Sequence, residues 1–394
     1  MSDLLDLAAL DAADPLAAFR AEFALPEGVI YLDGNSLGPL PRAARARMGA
    51  VIEQEWGRDL IRSWEINGWM ELPRRVGEKI GRLIGAAPGC TVACDSTSIN
   101  LFKALAAALA LRPERRVVLT QADNFPTDLY VTEGLCALLG RGIEVRRVPE
   151  EAIAAALGPE VAVLSLTHVN YRSGRMHDMA RLTRAAHAAG ALAVWDLSHS
   201  AGAVPLDLAA CGADFAVGCG YKFLNGGPGA PSFISIAPAH LGAPMPLTGW
   251  MGHADPFAFG PGYRPADDAG RALVGTPFVL SLAALEVGVD LMLEADMAAV
   301  RAKSLLLAEA FIALVERDCA GIGLELLTPR TPELRGSQVA WRHPRAEAIM
   351  RALIARGVIG DFRPPDILRF GLTPLYLRFA EIGAAVKRLA EAAG

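Results

Sequence analysis

The feature that most constrains this chain is an alternation, from about residue 117 to 237, of short apolar runs with amphipathic stretches. The runs Val117–Thr120, Ile143–Val148, Val161–Thr167, Ala191–Asp196, Phe215–Gly218 and Ser232–Ile236 are four to seven residues long. Near-continuous apolar runs of that length suit strands covered on both faces. Between several of them, Thr127–Leu139, Glu150–Leu157 and Met176–Ala189 carry helical periodicity. Strands and helices in that order predict an α/β fold, a mainly parallel sheet sandwiched by helices. Before this region, Ala43 to Ala86 reads as helical, broken at Gly68 and Pro73. After it, Pro238–Pro265 reads as ordered loop, Pro277–Arg317 as one long linking helix, and Leu324–Ala393 as a smaller α+β domain. A chain of 394 residues, about half of them apolar, can bury cores of that size.

Several function classes drop out. The net charge is −5 and no Lys/Arg run is interleaved with aromatics, so no nucleic-acid partner is expected. The longest Ala/Leu stretch, Ala104–Leu111, is too short to span a membrane. An acidic start, Met1-Ser2-Asp3-Leu4-Leu5-Asp6-Leu7, is unlike a secretion signal and points to the cytoplasm. Six cysteines form no disulfide framework or paired CxxC motif, and His168, His177 and His253 lack ligand spacing, so no metal site is expected.

One lysine stands apart. The chain has only five lysines. Lys79, Lys103, Lys303 and Lys387 sit in helix-like stretches with arginine or acidic neighbours and are expected on solvated faces. Lys222 instead follows the apolar run Phe215–Gly218 and precedes the glycine-rich turn Asn225-Gly226-Gly227-Pro228-Gly229. A desolvated amine there is placed to attack a carbonyl. Ligands gather at the C-terminal ends of parallel strands, so the polar residues ending the other runs should converge on it. Asp196 ends one run, and an ionised carboxylate there would keep a heterocyclic nitrogen protonated. Alone it would be a turn residue; paired with Lys222 it forms half of a pyridoxal phosphate constellation. Thr97 and Ser98 precede the apolar helical run Leu101–Leu105 and would offer hydroxyls and a helix N-terminus to a phosphate, although the same residues suit an ordinary cap. Phe125 and Asp128 follow another strand and can present a ring face and a carboxylate, or simply start a helix. Thr167 ends a further strand, with His168 beside it, and His199 follows Asp196 closely enough to reach the same place.

These motifs, taken together and in order, resemble the kynureninase family of fold-type-I pyridoxal phosphate enzymes. The resemblance spans nearly the whole chain. It includes Tyr31-Leu32-Asp33-Gly34-Asn35-Ser36-Leu37-Gly38-Pro39, Gly220-Tyr221-Lys222-Phe223-Leu224-Asn225-Gly226-Gly227, Gly249-Trp250-Met251-Gly252-His253, Gly275-Thr276-Pro277 and Arg369-Phe370-Gly371-Leu372-Thr373-Pro374. It implies that Lys222 carries the cofactor as a Schiff base, that Thr97, Ser98 and Tyr221 meet its phosphate, and that Tyr221 also relays protons in catalysis. It further implies that Phe125 stacks on the ring and that Asp128, Thr167, Asp196 and His199 complete the shell. Trp250 and Thr276 match family positions that bind phosphate across a homodimer interface; several members carry asparagine where Thr276 stands. Arg369 matches the clamp for the substrate carboxylate. Trp64, Asn67, His253 and Thr276 are expected near the aryl group.

The implied reaction is hydrolysis of L-kynurenine, or its 3-hydroxy form, to the anthranilate and L-alanine. The alternatives on this scaffold are a cysteine desulfurase, an aminotransferase, or a cofactor-binding regulator without turnover. The expected division is an N-terminal arm (1–42) packing with the small domain, a large cofactor-binding domain (43–280), and a linking helix with the small domain (281–394).

Overall fold

The computed structural model describes residues 6–394. Seven strands form the main sheet: β1 (Thr91–Cys94), β2 (Val117–Gln121), β3 (Glu144–Val148), β4 (Val161–Thr167), β5 (Leu192–Asp196), β6 (Phe215–Cys219) and β7 (Ser232–Ile236). Their order is β1-β7-β6-β5-β4-β2-β3. Neighbours from β6 through β3 run parallel, while β7 is antiparallel to both β6 and β1. Every strand except β3 is buried along its whole length, which accounts for the near-continuous apolar runs. β3 is the edge: its pattern is part-exposed, and Arg146 and Arg147 charge it, a common way to block edge pairing.

A four-stranded antiparallel sheet forms the smaller unit: β8 (Glu325–Leu326), β9 (Gln338–Arg342), β10 (Asp361–Arg363) and β11 (Ile367–Gly371), in the order β10-β11-β9-β8. The N-terminal segment is bound to it. Ile30–Tyr31 pairs in parallel with Val358–Ile359. Asp11 accepts from the backbone N–H groups of Phe379 and Ala380 at 2.7 and 2.9 Å, and Arg20 grips Glu381 with two bonds of 2.8 Å.

Several expectations need correction. Glu150–Leu157 is not a helix but one 3-10 turn, Glu150–Ala152, followed by turns; a single turn already buries Ile153, and Gly158-Pro159 stops any extension. The linking helix is two, Val279–Glu294 and Met297–Asp318, because Asp296 caps the second by accepting from Ala298 N at 2.9 Å. Pro73 starts a helix (Leu72–Ile84) rather than breaking one, since the first turn has no use for its missing N–H. β1 was missed because four residues beside a glycine-rich turn carry little signal. Lys103 and Lys303 are not on solvated faces. Both are buried, each paired with a carboxylate, Asp95 and Asp14 respectively.

Candidate active site

The parallel strands all end on one edge of the sheet, and their last residues converge there. Thr167 and Asp196 are register partners at the ends of β4 and β5. β6 ends at Cys219, opposite Ser232 of β7, which in turn lies opposite Cys94 of β1. That register brings two distant loops together: Asp95–Ser98 after β1 and Gly220–Lys222 after β6. Gly220 is required at the turn, because a Cβ would stand 2.3 Å from the Pro231 carbonyl oxygen. The cavity between these loops has a volume of about 270 Å³. Thr97, Ser98, Phe125, Asp128, Thr167, Asp196, His199, Tyr221 and Lys222 all line it.

Lys222 Nζ lies 3.0 Å from His199 Nε2 and about 6 Å from the centres of the Phe125 and Tyr221 rings. Among the described residues no carboxylate pairs with it, unlike Lys79, Lys103 and Lys303. Burial holds His199 well below the usual histidine range, helped by the positive charges of Lys222, Arg369 and Arg363, so its imidazole is neutral. Its Nδ1 is buried without a hydrogen-bond partner.

Two buried carboxylates face each other across Thr167. Asp196 Oδ1 accepts from Ser198 N at 2.8 Å and Ser198 Oγ at 2.6 Å. Its Oδ2 has only the Thr167 hydroxyl at 3.5 Å. Asp128 Oδ2 lies 3.1 Å from that hydroxyl. Burial raises both carboxyls, Asp128 well above the usual carboxylate range, and the charge of Asp196 pushes Asp128 further. The two Ser198 donors oppose the shift at Asp196. Asp196 is therefore the better anion of the pair.

Thr97 and Ser98 occupy the first turn of the helix Thr97–Ala110, whose cap Ser96 accepts from Ile99 N at 3.4 Å. The free N–H groups of that turn and the positive end of the helix suit an anion. Arg369 is buried on β11. It donates to Asp361 (Nε at 2.9 Å, and through Nη2), to Ser36 Oγ at 2.8 Å and to the Tyr171 carbonyl at 2.7 Å.

Arg369 is not among the residues that line this cavity, and the remaining five expected residues do not line it within one chain either. Trp64 packs edge-on against Trp250 at 6.0 Å, and Asn67 donates to Asp59 and Ser63. His253 is half-buried and accepts from Asp255 N. Thr276 is exposed beside a separate cavity of about 150 Å³ shared with Asp95. His168 turns away, bonded to Ser200 and packed edge-on against Trp195.

Sequence reasoning passed over Tyr171 and Ser198, which also line the cavity. Tyr171 lies edge-on to Phe125 at 5.1 Å. Both residues follow strands already marked as ending at the site, so extending the strand-end rule by a few residues would have included them. Asn124, which accepts from Thr167 Oγ1 at 2.5 Å and from Phe125 N at 2.8 Å, would have been included too.

The strand order, with an amine after β6, a carboxylate ending β5 and a helix N-terminus after β1, defines a fold-type-I pyridoxal phosphate enzyme. Residues 66–340 match the aminotransferase class-V family, and residues 300–389 match the kynureninase C-terminal domain. Among solved structures, a cysteine desulfurase from Thermococcus onnurineus superposes with a TM-score of 0.80 over 95% of this chain and 97% of its own, at 17% identity. A C-DES mutant with glycine covalently linked to its pyridoxal phosphate also gives 0.80, over 94% of this chain and 99% of its own, at 18% identity. At those identities the likeness concerns the fold alone. Two curated relatives are far closer in sequence. Kynureninase from Pseudomonas fluorescens is 53% identical over 98% of this chain and 94% of its own length. That from Deinococcus radiodurans is 55% identical over 98% and 96%. The chain belongs to the kynureninase family.

The family's cofactor, pyridoxal phosphate, fits the donors present. The cavity offers an amine without a carboxylate partner, a buried carboxylate oxygen without a close donor, an aromatic face and an open helix N-terminus. No helix among the described residues is long and apolar enough to cross a membrane.

Proposed function

We propose that the chain hydrolyses L-kynurenine to anthranilate and L-alanine, a step of tryptophan catabolism, with 3-hydroxykynurenine as the second substrate to compare. The observation that carries this reading is Lys222, an amine with neutral His199 at 3.0 Å and no carboxylate partner, in a chain related to kynureninases along its whole length. Lys222 would hold the cofactor, Thr97 and Ser98 its phosphate, Phe125 one ring face, and Asp196 the ring nitrogen, with Asp128, Thr167 and Tyr221 around it. Once bound, the cofactor supplies a protonated ring that stores an electron pair while the Cβ–Cγ bond breaks.

Lys222 Nζ would move the substrate α-proton, and neutral His199, 3.0 Å away, would relay it. Asp196 sustains the positive charge opposite it because its own anion is held by Ser198. Arg369 orients the substrate through its carboxylate. Water adds to the γ-carbonyl, so kynurenine and water together balance anthranilate and alanine.

Trp64, Asn67, Trp250, His253 and Thr276 fit a homodimer in which Trp250 and Thr276 would serve the partner's phosphate, and Trp64, Asn67 and His253 would approach its aryl group. Ile52, Trp56, Ile61, Ile66 and Phe278 are exposed apolar residues that such a contact would cover. The division into arm (1–42), large domain (43–280) and small domain (281–394) is part of this proposal, as is a cytoplasmic location.

The test is a product assay on the purified protein. Anthranilate and alanine should appear in equal amounts from kynurenine, and Lys222→Ala should abolish both. Sulfide release from cysteine, transfer of the amino group to a keto acid, or near-normal turnover by Lys222→Ala would refute the reading. Light scattering that finds only monomers would refute the dimer.

A further inference from the structure

Arg369 does not stand alone. Asp361 on β10 is its register partner across the antiparallel pair, so the two side chains share one face of the small sheet. Arg363, two residues along β10, lies on the same face. The Asp361 carboxylate serves both guanidiniums. Its Oδ1 accepts from Arg369 Nε at 2.9 Å, and its Oδ2 accepts from Arg363 Nη2 at 2.7 Å, from Ser36 Oγ at 2.9 Å and from Arg369 Nη2.

A guanidinium has five N–H donors. In Arg369 the Nε–Nη2 edge, the one best shaped for a carboxylate, is filled by Asp361 and Ser36. Nη1 gives one N–H to the Tyr171 carbonyl and keeps the other free, next to a residue that lines the Lys222 cavity. Arg363 Nε is buried with no partner. Two cations thus share one carboxylate. The next acid, Asp33, is pushed up to about 7 by burial and by Asp361, so it cancels only part of the excess near neutrality. Both arginines are close enough to bear on His199, which touches Lys222.

We propose that Asp361 is a positioning residue that fixes Arg369 and Arg363 as a two-guanidinium seat for the substrate's carboxylate. In this seat the carboxylate takes the free Nη1–H of Arg369 and a donor of Arg363, rather than the Nε–Nη2 edge of Arg369. The inference rests on the functional reading above and assigns the carboxylate end of that same site.

The test titrates the cofactor-loaded protein with L-alanine and with ethylamine, its counterpart lacking the carboxylate, and follows the bound cofactor's absorption. Asp361→Asn keeps the shape but lets the guanidinium swing. It should weaken L-alanine binding roughly ten- to a hundredfold, the scale of a lost charge-assisted hydrogen bond. Arg363→Gln should weaken it about tenfold through a lost charge-assisted donor, with partial recovery in Arg363→Lys. Ethylamine binding should move less than threefold in all three. Unchanged or tighter L-alanine binding by Asp361→Asn would show that the carboxylate merely competes for Arg369, and would overturn the proposal. Unchanged binding by Arg363→Gln would overturn it equally. Thermal unfolding and cofactor loading check each variant; if Asp361→Asn fails to load, the Arg363 pair decides. A parent protein that loads cofactor but never responds to L-alanine would sink the functional reading and this one with it. A normal parent response with indifferent variants sinks this one alone.

Discussion

Gly38 is where the N-terminal segment meets the Gly220–Lys222 loop, and Gly38→Ala tests whether that contact holds Lys222 in place. The Gly38 N–H donates to the Tyr221 carbonyl at 2.8 Å. A Cβ at this position would stand 2.4 Å from the Lys222 carbonyl oxygen and 2.8 Å from Asn225 Cα. Carbon–oxygen contacts ordinarily begin at about 3.3 Å, so the arm and the loop must part by roughly 0.9 Å. Asn225 Oδ1 would also stand 2.5 Å away, but turning that side chain leaves the two backbone obstacles in place. Overpacking of this kind costs about 1–3 kcal/mol. A catalytic amine displaced by nearly 1 Å costs about a hundredfold in rate. The expected result is therefore a fall in kcat/KM of roughly thirty- to a hundredfold, with a melting temperature lower by only a few degrees. Steady-state kinetics and thermal unfolding on the same preparation separate the two effects. Gly134→Ala is the control: nothing lies within 4 Å of its Cβ position in the helix Pro126–Leu139, so it should leave the rate alone and stabilise by about 0.5–1 kcal/mol. The reasoning fails if Gly38→Ala keeps kcat/KM within threefold of the parent at an unchanged melting temperature.

Two further outcomes follow from buried charges in the arm. The Asp33 carboxyl, raised to about 7 when folded, is protonated in both folded and unfolded chains at low pH and carries no penalty there. The penalty grows as pH rises through the unfolded carboxylate range and is complete above the folded value. Asp33→Asn should therefore melt a few degrees higher than the parent at pH 8 and nearly level with it at pH 4; the same difference at both values would contradict the assignment. Lys303→Met strips the buried Asp14 side chain of its only ion-pair partner among the described residues and should destabilise by about 3 kcal/mol or more. Adding Asp14→Leu should restore most of that loss, and a double variant no better than the single would refute the pairing.

Much of the candidate site was legible in advance because parallel strands impose a common direction. Once six apolar runs are read as strands of one sheet, Thr167, Asp196 and Lys222 must lie on one side of it, whatever the exact strand order. The helix start at Thr97 was legible for a similar local reason, a hydroxyl pair ahead of an apolar run. The burial of Lys103 and Lys303 was not, since a lysine's neighbours in sequence say nothing of a carboxylate brought to it by folding.

What the sequence by itself determined was the class of fold, the family and the amine at its centre, since each rests on local periodicity or on contiguous motifs. Only the tertiary structure decided what surrounds Arg369. Ser36 and Asp361, 325 residues apart, meet because Ile30–Tyr31 pairs with Val358–Ile359, just before β10. Asp361 faces Arg369 because β10 and β11 pair in one register, and a slip of one residue would turn the carboxylate to the other face. Which edge of a guanidinium remains free for a substrate is set by that pairing, which no single segment encodes.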